Sequence, residues 1–126
     1  MILKASMCVS GKENARQASV AEVAERTLRV LKRTVPAALP GVVFLSGGQT
    51  DENATAHFDA MNRMGAPWPL TFSYSRALQA VALNAWRGQA GNVATAQKAF
   101  QHRARMNSLA AKGQWKKELE TQAAAA

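Results

Sequence analysis

The sequence has little cysteine and no long apolar run. Cys8 is the one cysteine among 126 residues, so no disulfide can form within the chain, and this usage is typical of a reducing compartment. No apolar stretch approaches the roughly 20 residues that a membrane-spanning helix needs. Lys4 also interrupts the apolar start of the chain before a secretory signal could form. These absences predict a cytoplasmic protein with no membrane partner.

Potential metal ligands are scarce as well. His57 and His102 are the two histidines, and each lies in a helical pattern without a partner at ligand spacing. Cys8 has no evident base beside it that would make it a nucleophile. We therefore predict structural roles for both histidines, an inert thiol and no metal site.

Acidic residues are missing between Asp59 and Glu118, while the chain as a whole carries a net charge of +8. A basic surface could bind a nucleic-acid backbone or an acidic protein, although solvated helix faces produce the same pattern. Aromatic residues make up only 6% of the sequence, which is too few for a base-stacking platform. Nucleic acid is therefore the less favoured partner. The basic side chains of this stretch are Arg63, Arg76, Arg87, Lys98, Arg103, Arg105, Lys112, Lys116 and Lys117.

What is present is an alternation of β-rich segments and amphipathic helices. Residues 42–45 and 70–74 predict strands, and the stub 1–3 is too short to be a stable strand alone. Ser19 with Glu22 forms a capping box, Thr50 is a second N-cap, and Gly113 suits a helix end. The spacing predicts helices from Ser19 to about 35, over 51–64, from 75 to about 87, and over 92–112.

A strand–helix–strand–helix order predicts a parallel sheet with crossover helices. Two or three parallel strands are not a complete domain, because such strands are normally buried on both faces and paired at both edges. We therefore expect residues 1–126 to form one partial α/β domain, with residues from about 115 to 126 as a flexible tail.

The turn Ser46-Gly47-Gly48 follows a predicted strand and precedes a predicted helix N-terminus. Glycines there allow backbone N–H groups to face a ligand, and the helix dipole favours an anion. This geometry suits a phosphate, but it also suits an ordinary tight turn. The turn by itself leaves both interpretations open.

Three segments together carry a family resemblance: MILKASM at 1–7, VVFLSGGQ at 42–49 and LTFSYSRALQ at 70–79. In order and spacing they resemble the last third of a class I fructose-bisphosphate aldolase. The flanking RTVPAALPGV and ARMNSLAAKG are similar to that family too. The resemblance implies strands 6 to 8 of a (β/α)8 barrel, whose sites lie at the carboxyl ends of the strands. It covers most of the chain and implies a barrel fragment that is incomplete by itself.

The resemblance also implies an activity, the reversible cleavage of fructose 1,6-bisphosphate to two triose phosphates in glycolysis. Lys4 would form the Schiff base, for which its amine must be neutral, and no cofactor or metal is implied. The substrate is a sugar phosphate, and the parent enzyme is expected to be a homo-oligomer. The residues that would bind the substrate phosphate are Ser46, Gly47, Gly48, Ser73, Ser75 and Arg76.

Three positions depart from the family pattern, and at one of them Ser6 stands where the family has asparagine. Ala5 stands where the family has proline, and Ser75 stands where it has glycine, which adds a Cβ beside the phosphate loop. Because Met1 falls inside the expected strand 6, we expect the chain to be truncated and to have very little activity alone. The alternative is a small basic module, derived from an aldolase fragment, that binds nucleic acid or another protein.

Overall fold

Strands and helices alternate along the chain as the sequence predicts. The computed structural model describes residues 1–122. Its strands are β1 (Leu3–Ala5), β2 (Val42–Phe44) and β3 (Leu70–Phe72). Its helices are α1 (Val20–Thr34), α2 (Asp51–Met64), α3 (Arg76–Trp86), α4 (Val93–Ala110) and α5 (Glu118–Gln122), with one 3-10 turn (Ala90–Asn92) before α4.

The three strands form one parallel sheet in the order β1-β2-β3. The predicted parallel sheet is confirmed, and α2 connects the two neighbouring strands β2 and β3. The amino-terminal stub is part of a strand because β2 supplies its hydrogen-bonding partner. In register, Lys4 lies beside Val43, which lies beside Thr71.

The helices cover one face of this sheet. Val42, Phe44 and Leu70 are buried among helical side chains. Phe58 of α2 is fully buried, with its ring centroid 6.4 Å from Phe44 and 5.9 Å from Phe72. The opposite face carries Lys4, Val43 and Thr71, of which Lys4 and Thr71 are exposed. The apolar strand predicts a sheet that is buried on both faces. Within residues 1–122, the helices bury one face and leave the other uncovered.

The predicted helix ends are confirmed. Ser19 Oγ accepts a bond from the Glu22 N–H at 3.2 Å, and the Glu22 carboxylate accepts one from the Ser19 N–H at 3.0 Å. The Ser19 backbone bond and the Arg16 side chain lower the pKa of Glu22 to about 2. Thr50 Oγ1 accepts a bond from the Asn53 N–H at 3.2 Å. Gly113 follows α4 with a φ of 64°.

The carboxyl-terminal segment differs from the flexible tail expected from residue 115. Trp115 Nε1 donates to Glu120 Oε1 at 2.9 Å, and Arg63 Nη2 donates to the Trp115 carbonyl at 2.8 Å. Arg103, which is buried, pairs with Glu120 on α5. These bonds hold residues 115–120 against α2 and α4. Residues 123–126 lie outside the described residues, and no helix within residues 1–122 is long and apolar enough to span a membrane.

Candidate functional site

The candidate site lies where the three parallel strands end. Because parallel strands share a direction, their carboxyl ends meet at one edge of the sheet, where α/β proteins bind ligands. Lys4 is in β1, the turn 46–48 follows β2, and residues 73–76 follow β3. The fold thus brings all three motifs of the sequence to one edge.

Lys4 reaches across the middle strand to the loop after β3. Its Nζ donates a hydrogen bond to Ser73 Oγ at 3.2 Å. The contact is exposed, on the uncovered side of the sheet. It joins the predicted nucleophile to a predicted phosphate-binding residue.

The turn after β2 requires glycine at position 48 and leaves little space for a side chain at position 47. Gln49 N–H donates to the Ser46 carbonyl at 3.2 Å, and Gly48 has a φ of 77°, a left-handed conformation that glycine adopts without strain. A Cβ on Gly47 would lie 3.1 Å from Leu45 Cδ1. The buried Ser46 Oγ accepts a bond from the Ala77 N–H at 3.4 Å, which ties the turn to the first turn of α3.

Several backbone N–H groups at this edge have no protein acceptor within the described residues. Within residues 1–122, the N–H groups of Gly47, Gly48, Ser75 and Arg76 donate to no protein acceptor. Two of them belong to the glycine turn, and two open the 11-residue helix α3, whose dipole favours an anion. Ser75 has a φ of −98°, which any L-residue adopts, so serine replaces the family's glycine here without left-handed strain.

A cavity of about 630 Å³ opens beside the glycine turn. Three of the predicted residues line it, namely Ser46, Gly48 and Arg76, whereas Lys4, Gly47, Ser73 and Ser75 do not. The cavity also contains residues that sequence reasoning did not assign to a site, Lys12, Gln49 and His57. No local pattern assigns these three to a site, because Lys12 belongs to the loop after β1 whereas Gln49 and His57 belong to the segment after β2, and only the fold brings the two segments to one cavity.

His57 and Gln49 form a pair at the wall of the cavity. His57 Nδ1 lies 2.7 Å from Gln49 Oε1, within hydrogen-bonding distance. Burial lowers the pKa of His57, which keeps the ring neutral. Within the described residues, the buried Gln49 Nε2 has no acceptor. The pair fixes the residue that directly follows the glycine turn.

His102 and Cys8, the other residues predicted to have structural roles, are not among the residues that line this cavity. His102 Nε2 lies 3.1 Å from Glu120 Oε2, and the Cys8 N–H donates to Thr27 Oγ1 at 2.9 Å, so both lie in structural contacts. No group of three His, Cys, Asp or Glu side chains in residues 1–122 is placed to hold a metal ion. The basic stretch is not uniformly solvated, because Arg103 is buried and Arg63 pairs with Asp59.

A family model described as glycolytic fructose-bisphosphate aldolase class-I matches residues 1–126. The chain belongs to the class I fructose-bisphosphate aldolase family. The probable fructose-bisphosphate aldolase class 1 of Xanthomonas axonopodis pv. citri is 58% identical over 117 residues, which are 91% of this chain and 35% of that protein. The fructose-bisphosphate aldolase of Dictyostelium discoideum is 48% identical over 121 residues, 95% of this chain and 34% of that protein.

The fold agrees with the family. A solved Plasmodium falciparum fructose-bisphosphate aldolase, in complex with TRAP and a small-molecule inhibitor, matches with a TM-score of 0.88 and 49% identity. The match covers 91% of this chain and 33% of that one. The chain therefore spans about a third of the length of its aldolase relatives and forms part of a barrel. The comparisons give no support to the alternative of a nucleic-acid- or protein-binding module.

Proposed function

We propose that this chain supplies the Schiff-base lysine and one phosphate site of a class I aldolase that cleaves fructose 1,6-bisphosphate reversibly to two triose phosphates. The observation that supports it most directly is the Lys4 Nζ to Ser73 Oγ contact of 3.2 Å. This contact places a primary amine beside the loop that carries Ser75 and Arg76. The cleavage of a ketose phosphate requires a nucleophile for its carbonyl and a binding site for its phosphate. In this proposal both are at one edge of the sheet.

Lys4 acts as the covalent residue in this proposal. Its neutral amine attacks the ketose carbonyl, and loss of water leaves an iminium that accepts the electron pair of the breaking carbon–carbon bond. The aldehyde product leaves, and the enamine that remains is protonated and hydrolysed to release the ketone product. Ser73 Oγ holds Nζ at the strand edge before attack. The family resemblance assigns the acid and base groups of these steps to strands that precede this chain's segments.

The phosphate is bound by charge and by backbone donors. The N–H groups of Gly47 and Gly48 and those of Ser75 and Arg76 are available for its oxygens. The hydroxyls of Ser46 and Ser73 lie at the same edge, and the Arg76 guanidinium can form bidentate, charge-assisted bonds. Anchoring one end of the substrate limits the positions of its carbonyl, which is how remote binding contributes to the rate.

We further propose that the 126-residue chain alone has very little lyase activity. A complete barrel has about 250 residues, and in the three-stranded sheet Lys4 is exposed. Water around an open site weakens the interactions that a closed site strengthens. We place the whole enzyme in the cytoplasm as a homo-oligomer, which fractionation and sedimentation of the full-length protein would test.

Borohydride trapping tests the assignment on the chain itself. Dihydroxyacetone phosphate should form an iminium with Lys4, and borohydride should reduce that iminium to a stable amine. The peptide that contains Lys4 should then carry one substrate-derived label. Lys4→Arg keeps the charge but has no primary amine, so the label should disappear, while Lys32→Arg, an exposed control on α1, should keep it. A label on Lys12, or one that persists in Lys4→Arg, would overturn the residue assignment.

A further inference from the structure

Lys12 occupies the loop between β1 and α1 and lines the same cavity as Ser46, Gly48 and Arg76. Its Cε lies 3.9 Å from the position that a Cβ on Gly48 would take. The lysine stem therefore passes directly beside the glycine turn. Neither the three family motifs nor the capping patterns include this residue.

The loop that carries Lys12 is held by its own hydrogen bonds. Asn14 N–H donates to the Gly11 carbonyl at 3.0 Å, which closes a four-residue turn with Lys12 at its second position. Gln17 Nε2 donates to the Gly11 carbonyl at 3.1 Å and to the Asn14 carbonyl at 2.8 Å. Ala18 N–H donates to Ser10 Oγ at 2.9 Å. These bonds order the backbone around Lys12, which reduces the entropy lost when it binds a ligand.

The charge of Lys12 is free for a ligand. Neither Lys12 nor Arg76 takes part in an ion pair within residues 1–122. Both side chains line one cavity, which a buried serine and a left-handed glycine also line. A phosphate monoester carries a charge of about −1.5 to −2 at pH 7, so two cations neutralise it more fully than one.

We propose that Lys12 is a second cationic ligand of the substrate phosphate, beside Gly48 in the cavity that Arg76 also lines. The inference rests on the phosphate site of the proposed function. Lys12 supplies a compact ammonium that approaches the anion from the loop after β1, whereas Arg76 approaches from α3. The lysine stem lies within van der Waals distance of the position that a Cβ on Gly48 would take, so it runs along the glycine turn.

The test is a titration of the 126-residue chain with inorganic phosphate at low ionic strength, followed by the backbone amide resonances of Gly47 and Gly48. Lys12→Met keeps an unbranched stem and removes the charge, so it should raise the phosphate Kd about three- to tenfold. Lys12→Arg should restore most of the affinity. Lys32→Met, an exposed lysine on the last turn of α1, controls for the lower net charge and should leave the Kd unchanged.

The outcomes separate this inference from the proposal on which it rests. If phosphate binds and Arg76→Met weakens binding, but Lys12→Met does not, the phosphate site stands and the role of Lys12 is overturned. Equal weakening by Lys12→Met and Lys32→Met also overturns it, because the effect is then one of net charge. If phosphate does not shift the Gly47 and Gly48 resonances of the unsubstituted chain, both the phosphate site and the role of Lys12 are wrong.

Discussion

At the scale of single residues, the site depends on a few backbone positions that only certain side chains allow. Gly48 is left-handed within the turn after β2, and a side chain there would also meet Lys12. Ser75 shows the opposite case, since its φ of −98° is ordinary for an L-residue. Each position lies in a loop that follows a strand, but only position 48 requires glycine.

Gly48→Ala should therefore cost about 1–2 kcal/mol of unfolding free energy, because alanine is strained in the left-handed region. It should also raise the Kd for inorganic phosphate by moving the turn. Urea unfolding and phosphate titration check the two effects. Gly11→Ala is the matched control, because Gly11 has no positive φ and no atom lies within 4 Å of where a Cβ would stand; it should change stability by less than about 0.5 kcal/mol. Equal losses in the two variants would contradict the strain argument.

At the scale of elements, the Glu120 carboxylate holds α5 against α4 by pairing with Arg103. Burial raises the pKa of Glu120, but bonds from Arg103, Trp115 and His102 outweigh it and hold the pKa below its usual range. Arg103 also donates to Thr55 Oγ1 at 2.6 Å and to the Asp51 carbonyl at 3.2 Å, so it joins α4 to α2 as well as to α5. This polar cluster explains why residues 118–122 form a helix although the sequence there predicts a tail.

The attachment of α5 should weaken at acid pH. Because the folded pKa of Glu120 is lower than its unfolded value near 4.5, the stabilisation is fully present above that value and is lost as pH falls through the folded pKa. The indole N–H resonance of Trp115, which is bonded to Glu120, should move toward its unfolded position over that range. Glu120→Gln should remove this titration, so that the indole resonance of the variant does not shift with pH between about pH 6 and about pH 2. An unchanged acid transition in that variant would show that another group controls α5.

At the scale of the whole molecule, the core is organised around the second helix. Phe58 has no exposed surface and packs edge-to-face on rings from β2, β3 and the loop after β3. Tyr74, one of these partners, donates its hydroxyl to the Ala54 carbonyl at 3.0 Å. The same core that orders the sheet therefore also sets the direction in which the loop with Ser73 and Arg76 leaves it.

Phe58→Ala should destabilise the chain by about 3–5 kcal/mol, because it removes a fully buried ring and leaves a cavity. Phe100→Ala is the control, since Phe100 is 43% exposed on α4, and it should cost no more than about 1 kcal/mol. Urea unfolding followed by circular dichroism gives both values. Similar unfolding midpoints for the two variants would show that α2 is not the centre of the core.

The sequence by itself determined the parts that depend on local chemistry. The capping box at Ser19, the cap at Thr50 and the glycine end at Gly113 are set by residues within a few positions of one another. Apolar runs predicted the strands, and three motifs in order predicted the family and the part of the barrel. The turn 46–48 was predicted from its own serine and glycines between a strand and a helix, and the site at the carboxyl ends of the strands was predicted from the family resemblance.

Only the tertiary structure decided which distant side chains meet. Lys4 and Ser73 are 69 positions apart, and Arg103 and Glu120 are 17 positions apart. The pairing of His57 with Gln49 and the approach of Lys12 to Gly48 likewise appear only in the folded chain. Such contacts are set by strand register, helix packing and loop closure together, and no local pattern of residues encodes them.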